Sequence, residues 1–293
     1  MPVIALQGLR GGMGTTSVTA ALAWALQQLG ESVLAIDFTP DNLLRLHFNT
    51  PFELARGWAR AERDGGRWQE GALRYCENLD FLPFGRLNAA ERLEVQRQCQ
   101  QQPERWRDNV RQLIAGDPQR WILLDVPVGD GVLAQQALQL ADSVFVLLNP
   151  DANCQVRLHQ QTLPNDCRFL VNHYSSASQL QQDLHQLWLQ TLSGLLPVVI
   201  HRDEALAEAL AVKQPLGEYR PESLAADEVL TLANWCLIKA LLLKSGNYPA
   251  VWRSDLLGSP PGVPDGQVQA QDQQLETVQP SLGATWFVDR LDG

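Results

Sequence analysis

Pro2-Val-Ile-Ala-Leu-Gln7-Gly8-Leu9-Arg10-Gly11-Gly12-Met13-Gly14-Thr15-Thr16-Ser17 passes from an apolar run, through a glycine loop, into a helical pattern. Residues 2–7 have the length and apolar continuity of a buried strand. From Ser17 to Leu29 the apolar residues recur at helical spacing, and Gly30 stands where a helix C-terminus favours glycine. A second short apolar run, Ser32 to Asp37, follows at once. Strand, glycine loop, helix and strand in that order form a βαβ unit, which requires a parallel sheet with a right-handed crossover.

A glycine loop between a strand and a helix has one clear chemical use. The first N–H groups of the helix lack intrahelical partners, point into the loop and attract phosphate oxygens, and the helix dipole adds to the attraction. Gly11, Gly12 and Gly14 allow the close main-chain approach that this needs. Thr16, at the start of the helix, is placed to put its hydroxyl on Mg²⁺. A carboxylate at the end of a neighbouring apolar strand completes such a site, and Trp121-Ile-Leu-Leu-Asp125 supplies one. Asp37, at the tip of the second strand, is the other carboxylate expected to reach the metal; capping of a helix from Asn42 is its alternative role.

Outward from this unit the alternation continues. Strands are predicted at Leu79–Pro83, Trp121–Asp125, Ser143–Leu148, Arg168–Asn172 and Pro197–Ile200, and helices at Pro51–Arg63, Val132–Leu140, Gln179–Leu195, Asp203–Val212 and Glu222–Leu243. Asn88–Ala115 reads as mostly helical, interrupted at Pro103. This rhythm predicts an α/β fold: one doubly wound, mostly parallel sheet in residues 1–244. Residues 245–293 hold five Pro and six Gly with glutamine strings, a composition that predicts a mobile tail. Its end, Ala284 to Leu291, is apolar enough for a short docking motif, with an unconstrained terminus as the plainer reading.

The 293 residues are 45% hydrophobic, which excludes a disordered chain, and 23 basic against 33 acidic residues give a net charge of −10. That balance argues against coating DNA or anionic membrane by bulk charge. No signal-peptide pattern and no run of apolar residues long enough to span a bilayer is present, so a cytoplasmic protein is expected. Five scattered cysteines without a CxxC pair fit a reducing compartment. His47, His159, His173, His185 and His201 lack metal-ligand spacing and read as surface or loop histidines. The three lysines are Lys213, Lys239 and Lys244, so the first 212 residues contain none.

Arg10-Gly11-Gly12-Met13-Gly14-Thr15-Thr16 resembles the deviant phosphate loop, KGGxGKT, of the ParA/MinD family of P-loop NTPases, and the resemblance extends to about residue 243. Asp37-Phe-Thr39-Pro40-Asp41-Asn42 stands in the place of that family's DxDpQxN segment, and Asn172 in the place of the Asn that reads adenine. Asp203 to Tyr219 matches the family's late helix and strand. The resemblance implies a homodimer that binds ATP and Mg²⁺, with Arg10, Gly11, Gly12, Met13, Gly14, Thr15, Thr16 and Asn172 on the nucleotide and Thr16, Asp37 and Asp125 on the metal. Arg10 and Thr15 replace the two family lysines, of which the first crosses the dimer to the partner's ATP and the second holds phosphates in cis. Thr39 replaces the carboxylate that positions the attacking water, and Asp41, two residues on, is the candidate substitute. These departures predict a nucleotide-held dimer that hydrolyses ATP slowly or not at all.

The strings Asp151-Ala-Asn153-Cys154, Arg157-Leu-His-Gln-Gln161, Leu196-Pro…His201-Arg202-Asp203-Glu204 and Lys213-Gln-Pro…Gly217-Glu-Tyr-Arg220 are similar to the branch of that family that serves cellulose biosynthesis. Asn153 and Arg157, four apart on one helical face beyond a strand end, are candidate nucleotide ligands, with a helix-cap Asn and a surface Arg as the alternative. His201, Arg202 and Asp203 join them through the resemblance. That branch implies partners among accessory cellulose secretion proteins, BcsR and BcsE, an indirect tie to the inner-membrane cellulose synthase and a link to cyclic-di-GMP. The competing expectations are a cycling ParA/MinD-type ATPase for DNA segregation or spatial positioning, and an iron–sulfur reductase. The second is disfavoured because Val126–Val144 contains no cysteine.

Overall fold

The computed structural model describes residues 2–245, with side chains described for 2–241. An eight-stranded sheet runs in the order β3-β4-β2-β5-β1-β6-β7-β8, with every neighbouring pair parallel except β3 and β4. Its central strands β1 (Val3–Gly8), β2 (Val33–Asp37), β5 (Trp121–Val126) and β6 (Ser143–Leu148) are apolar runs, buried almost without a break. Such runs form parallel strands because helices cover both faces of the sheet. β7 (Arg168–Tyr174) and β8 (Leu195–His201) continue the sheet on one side. On the other side β4 (Leu79–Leu82) and the short antiparallel β3 (Leu73–Cys76) end it.

β1 takes β5 on one flank and β6 on the other, so the connections leaving and bypassing it diverge to opposite sides. The crevice beyond its C-terminal end is the topological switch point of the sheet, where such folds bind ligands. Helix α1 (Thr15–Gln28) starts there, is buried along most of its length and carries no charged residue. The other helices are α2 (Trp58–Arg63), α3 (Ala89–Gln101), α4 (Arg105–Gly116), α5 (Val132–Leu140), α6 (Ala152–Gln160), α7 (Gln179–Thr191), α8 (Ala205–Val212), α9 (Leu216–Tyr219) and α10 (Leu224–Ser245). No helix among the described residues is long and apolar enough to cross a membrane.

An aromatic cluster backs the end of β2. Phe38 lies 5.6 Å from Trp58 and 4.8 Å from Trp106, Trp58 and Trp106 are 4.8 Å apart, and Phe84 and Trp68 extend the group. Trp58 also donates its indole N–H to the Asp37 carbonyl at 2.8 Å.

Several sequence expectations need correction. The segment Pro51–Arg63 is helical only from Trp58, because Gly57 lies in extended backbone whose Cβ position would fall 2.2 Å from the Gly85 nitrogen. The helix expected from Asn42 is a 3-10 turn, Leu44–Phe48, preceded by a left-handed Asn42. α7 stops at Thr191 rather than Leu195, since Gly194 turns the chain with φ 89° into β8. Where the family's late strand is expected, Leu216–Tyr219 form the single turn α9. His47 is neither surface nor loop: it is 1% exposed in the 3-10 turn, and burial pulls its pKa down to about 4. The tail and the Ala284–Leu291 motif lie outside the described residues.

Candidate functional site

The loop that leaves β1 reaches α1 through two left-handed glycines, Gly12 at φ 78° and Gly14 at φ 76°. Gly14 is the N-cap of α1, and no side chain caps the helix. No acidic residue occupies its first turn either. An uncapped, half-buried helix start at a switch point leaves its N–H groups to an anion from outside. Space exists for one at Gly11, where an added Cβ would meet nothing within 4 Å. Gly14 is the reverse case, since a Cβ there would lie 2.7 Å from Asn172 Nδ2 and 3.2 Å from His173 Nε2.

Asp37 and Asp125 occupy the same register position of neighbouring strands β2 and β5. Both are buried, at 0% and 1% exposure. Asp37 accepts the Thr39 N–H at 2.8 Å and the Leu44 N–H at 3.3 Å. Asp125 is bonded by the Thr16 side chain, while its Oδ2 is buried with no partner. Burial, then the Asp125 charge, pushes the Asp37 carboxyl well above the ordinary range. Burial pushes Asp125 up to about 7 against the Thr16 bond. Two dehydrated carboxylates beside a threonine hydroxyl, with an orphaned oxygen between strand and helix, form an oxygen donor set that suits Mg²⁺. Magnesium keeps several waters and takes further oxygens from phosphate, so two carboxylates and one hydroxyl suffice. Among the described residues no group of three His, Cys, Asp or Glu stands ready to hold a metal unaided.

The other expected residues lie around the same crevice or beyond it. Arg10 hydrogen-bonds Asp151, the N-cap of α6, and its Nη1 donates to the Gly11 carbonyl at 3.0 Å. Its Nε is buried without a partner. Met13 is buried beneath the loop, and its carbonyl accepts from Asn172 Nδ2 at 2.8 Å. That bond leaves Asn172 Oδ1 buried and free to accept. Thr15 turns back toward Gly8, whose Cβ position lies 2.9 Å from the Thr15 hydroxyl. Asn153 accepts from Arg157 Nε at 2.7 Å, so the two meet on the outer face of α6. Thr39 carries no acidic group, and Asp41 is exposed in the turn after it.

His201, Arg202 and Asp203 follow β8. The His201 ring bonds Glu228 of α10 at 2.5 Å. Asp203 accepts N–H groups from Ala205 and Ala225, at 2.9 and 3.2 Å, tying the starts of α8 and α10 together. Arg202 is exposed, with its N–H on the Tyr174 carbonyl at 2.8 Å. Sequence reasoning missed two participants. The Asp151 partner of Arg10 lies 141 residues away, and nothing in the chain signals the pairing. His173 was read as ordinary loop, although its place after Asn172 puts it at the site.

A glycine loop at the switch point of a parallel sheet, an uncapped helix start and two buried strand-end carboxylates define a P-loop nucleotide-binding fold of the ParA/MinD kind. Solved structures share it: MinD complexed with Mg-ADP from Pyrococcus horikoshii OT3 aligns with TM-score 0.61 at 24% identity, over 79% of this chain and 94% of that one. Cobyrinic acid a,c-diamide synthase from Mycobacterium smegmatis, with bound ATP analogue and magnesium, aligns with TM-score 0.63 at 19% identity, over 84% and 97%. Residues 1–237 match the family model described as cellulose biosynthesis protein BcsQ. The chain is 50% identical over 252 residues to the BcsQ of Escherichia coli strain K12, covering 84% of this chain and 98% of that protein. It is 53% identical over 245 residues to BcsQ of Salmonella typhimurium strain LT2, covering 81% and 95%. The chain belongs to the BcsQ family.

Proposed function

We propose that the protein binds Mg-ATP at the glycine loop and, as a nucleotide-held dimer, acts as an assembly and regulatory component of the bacterial cellulose synthesis and secretion complex. The observation that carries the nucleotide reading is the buried Asp37–Asp125 pair, which faces Thr16 at an uncapped helix start. The cellulose role rests on the names of the relatives at half identity.

Thr16, Asp37 and Asp125 would hold magnesium, which would supply positive charge against the phosphates. The loop N–H groups hold phosphate oxygens, and Asn172 Oδ1 is an acceptor suited to the amino group of adenine. The half-buried Arg157 and the exposed Arg202 are the cations placed to add charge. Hydrolysis needs more than this grip. It needs charge directed at the transferring phosphoryl group and a base that orients water. Thr15 and Thr39 supply neither, and losses of this kind lower rates on the order of 10³-fold. Binding persists because main-chain dipoles and the metal remain, so ATP acts here mainly as a ligand that holds two copies together.

BcsR, BcsE and, through them, the inner-membrane synthase are the proposed partners, with cyclic-di-GMP as the linked signal. Recruitment to the membrane then runs through partners. Native mass measurement with and without Mg-ATP, followed by analysis of the bound nucleotide, tests the reading. A shift from monomer to dimer mass with intact triphosphate retained is expected. Rapid turnover, abolished by Asp125→Ala, would instead make the protein a cycling ATPase of the segregation or positioning type.

A further inference from the structure

The loop that would hold a polyphosphate contains no lysine, and Arg10 is already paired with Asp151. His173 stands at this place. It follows Asn172 near the end of β7, and its backbone lies in the left-handed region at φ 55°. That conformation is uncommon for a residue with a side chain, though histidine, asparagine and aspartate adopt it more readily than most. The result is that the imidazole lies against the phosphate loop. A Cβ on Gly14 would come 3.2 Å from His173 Nε2 and 3.9 Å from its Cε1, beside Asn172 Nδ2 at 2.7 Å. Neither ring nitrogen has a hydrogen-bond partner among the described residues. A half-buried imidazole with both nitrogens open, beside the uncapped start of a helix, is poised for a ligand.

We infer that His173 is a nucleotide-contacting residue, whose ring donates an N–H to an oxygen of the phosphate–ribose part of the bound nucleotide above Gly14 and takes up a proton as the nucleotide binds. The inference rests on the nucleotide reading above and adds to it a source of positive charge in cis, which Thr15 does not supply. The electrostatics agree with the geometry. In the free protein burial, then the charges of Arg202 and Arg10, depress the His173 pKa, and Glu204 alone opposes them. These are the charged groups that face the ring, from the segment after β8 and from the phosphate loop. The ring is therefore neutral at neutral pH when the site is free. An anionic phosphate beside it favours the charged form, and by linkage the charged form tightens nucleotide binding. The His173 contribution to affinity accordingly grows as pH falls, opposite in sign to that of Asp125, which gives up its proton to the metal and does so equally in wild type and variant.

The test compares the full-length protein with His173→Asn, which removes the imidazole and keeps a residue that tolerates the left-handed backbone. Mg-ADP and Mg-ATP are titrated calorimetrically from about pH 6 to pH 8, in buffers of differing ionisation heat, so that protons taken up are counted. The wild type is expected to take up more protons than the variant and to bind on the order of tenfold more tightly at the acid end, the two converging at the alkaline end. The melting temperature without nucleotide stays the same. Equal affinities and equal proton counts overturn the assignment of His173, as does a weakening that is constant with pH, which marks a packing role. Should the variant fold poorly, the histidine Cε1–H resonance of the wild type serves instead. An apparent pKa raised by Mg-ADP is expected, and an unmoved one overturns the inference. Absence of nucleotide binding by the wild type at every pH overturns the nucleotide reading itself, whereas binding without the His173 signature overturns only this inference.

Discussion

At Asp37 and Asp125 two charges have been taken out of water and set at one register position. Without a metal this arrangement opposes folding, and the sign of its pH dependence follows. The folded pKa of Asp125 stands at about 7 against an ordinary 3.8, so between those values the folded chain holds a proton that the unfolded chain has released. Metal-free stability therefore falls as pH rises through that window, by a few kcal/mol for a shift of this size. Melting curves in chelator should show the slope, Mg²⁺ with nucleotide should reverse it at pH above about 7, and Asp125→Asn should flatten it while abolishing the metal's effect. A rising curve in chelator would contradict the buried-pair account. The two loop glycines make a second contrast at this scale. Gly14→Ala forces a side chain into the left-handed region and onto Asn172 and His173, and should cost about 1–3 kcal/mol together with nucleotide binding. Gly11→Ala, which meets no protein atom, should leave the melting temperature of the free protein within about a degree or two.

Among the elements, α6 is joined to the phosphate loop through Asp151 and through Cys154, whose thiol lies 3.8 Å from the Met13 sulfur. Asp151 caps the helix by accepting the Cys154 N–H at 2.8 Å and at the same time pairs with Arg10. The pair is about a quarter exposed on each side, so solvent screening holds its worth near 1 kcal/mol, comparable to the cap itself. Asp151→Ala should then lose about 1–2 kcal/mol, and Asp151→Asn, which keeps a capping oxygen, less than about 1 kcal/mol; denaturant unfolding of both variants measures the difference. The elements differ in how far the chain announced them. β1, β2, β5 and β6 were legible because continuous apolar runs between turn residues have few other uses. β3 was not legible: Leu73-Arg-Tyr-Cys76 is half-exposed, and its only signal is the Glu77-Asn78 turn, where Asn78 takes φ 63°. The start of α2 was misplaced because Gly57 serves a close approach to Gly85 that no local pattern records. The site divides in the same way. Gly11 to Thr16, Asp37 and Asp125 could be read from motif spacing, whereas Arg10–Asp151 and His173–Gly14 depend on contacts between strands β1, β6 and β7.

For the whole molecule, the strand order explains why distant stretches of sequence meet at one crevice. β1 lies between β5 and β6, with β2 beyond β5 and β7 beyond β6, so the ends of these five strands carry Gly8, Asp37, Asp125, Asp151 and Asn172 toward the same edge. The candidate residues run from Arg10 to Asp203, and α10 closes the described part of the chain at Ser245. We therefore propose that nucleotide binding needs nothing from residues 246–293, whose proline, glycine and glutamine content is that of a tail rather than of a core. A chain ended after Ser245 should bind Mg-ATP with unchanged affinity by calorimetry and undergo the same mass doubling as the full-length protein. Association with cellulose secretion partners is then to be measured separately on both lengths, because a loss confined to the shorter chain would assign the tail to partner capture. Weakened nucleotide binding in that chain would mean instead that the tail reaches the crevice, and the division of labour between residues 1–244 and the remainder would have to be abandoned.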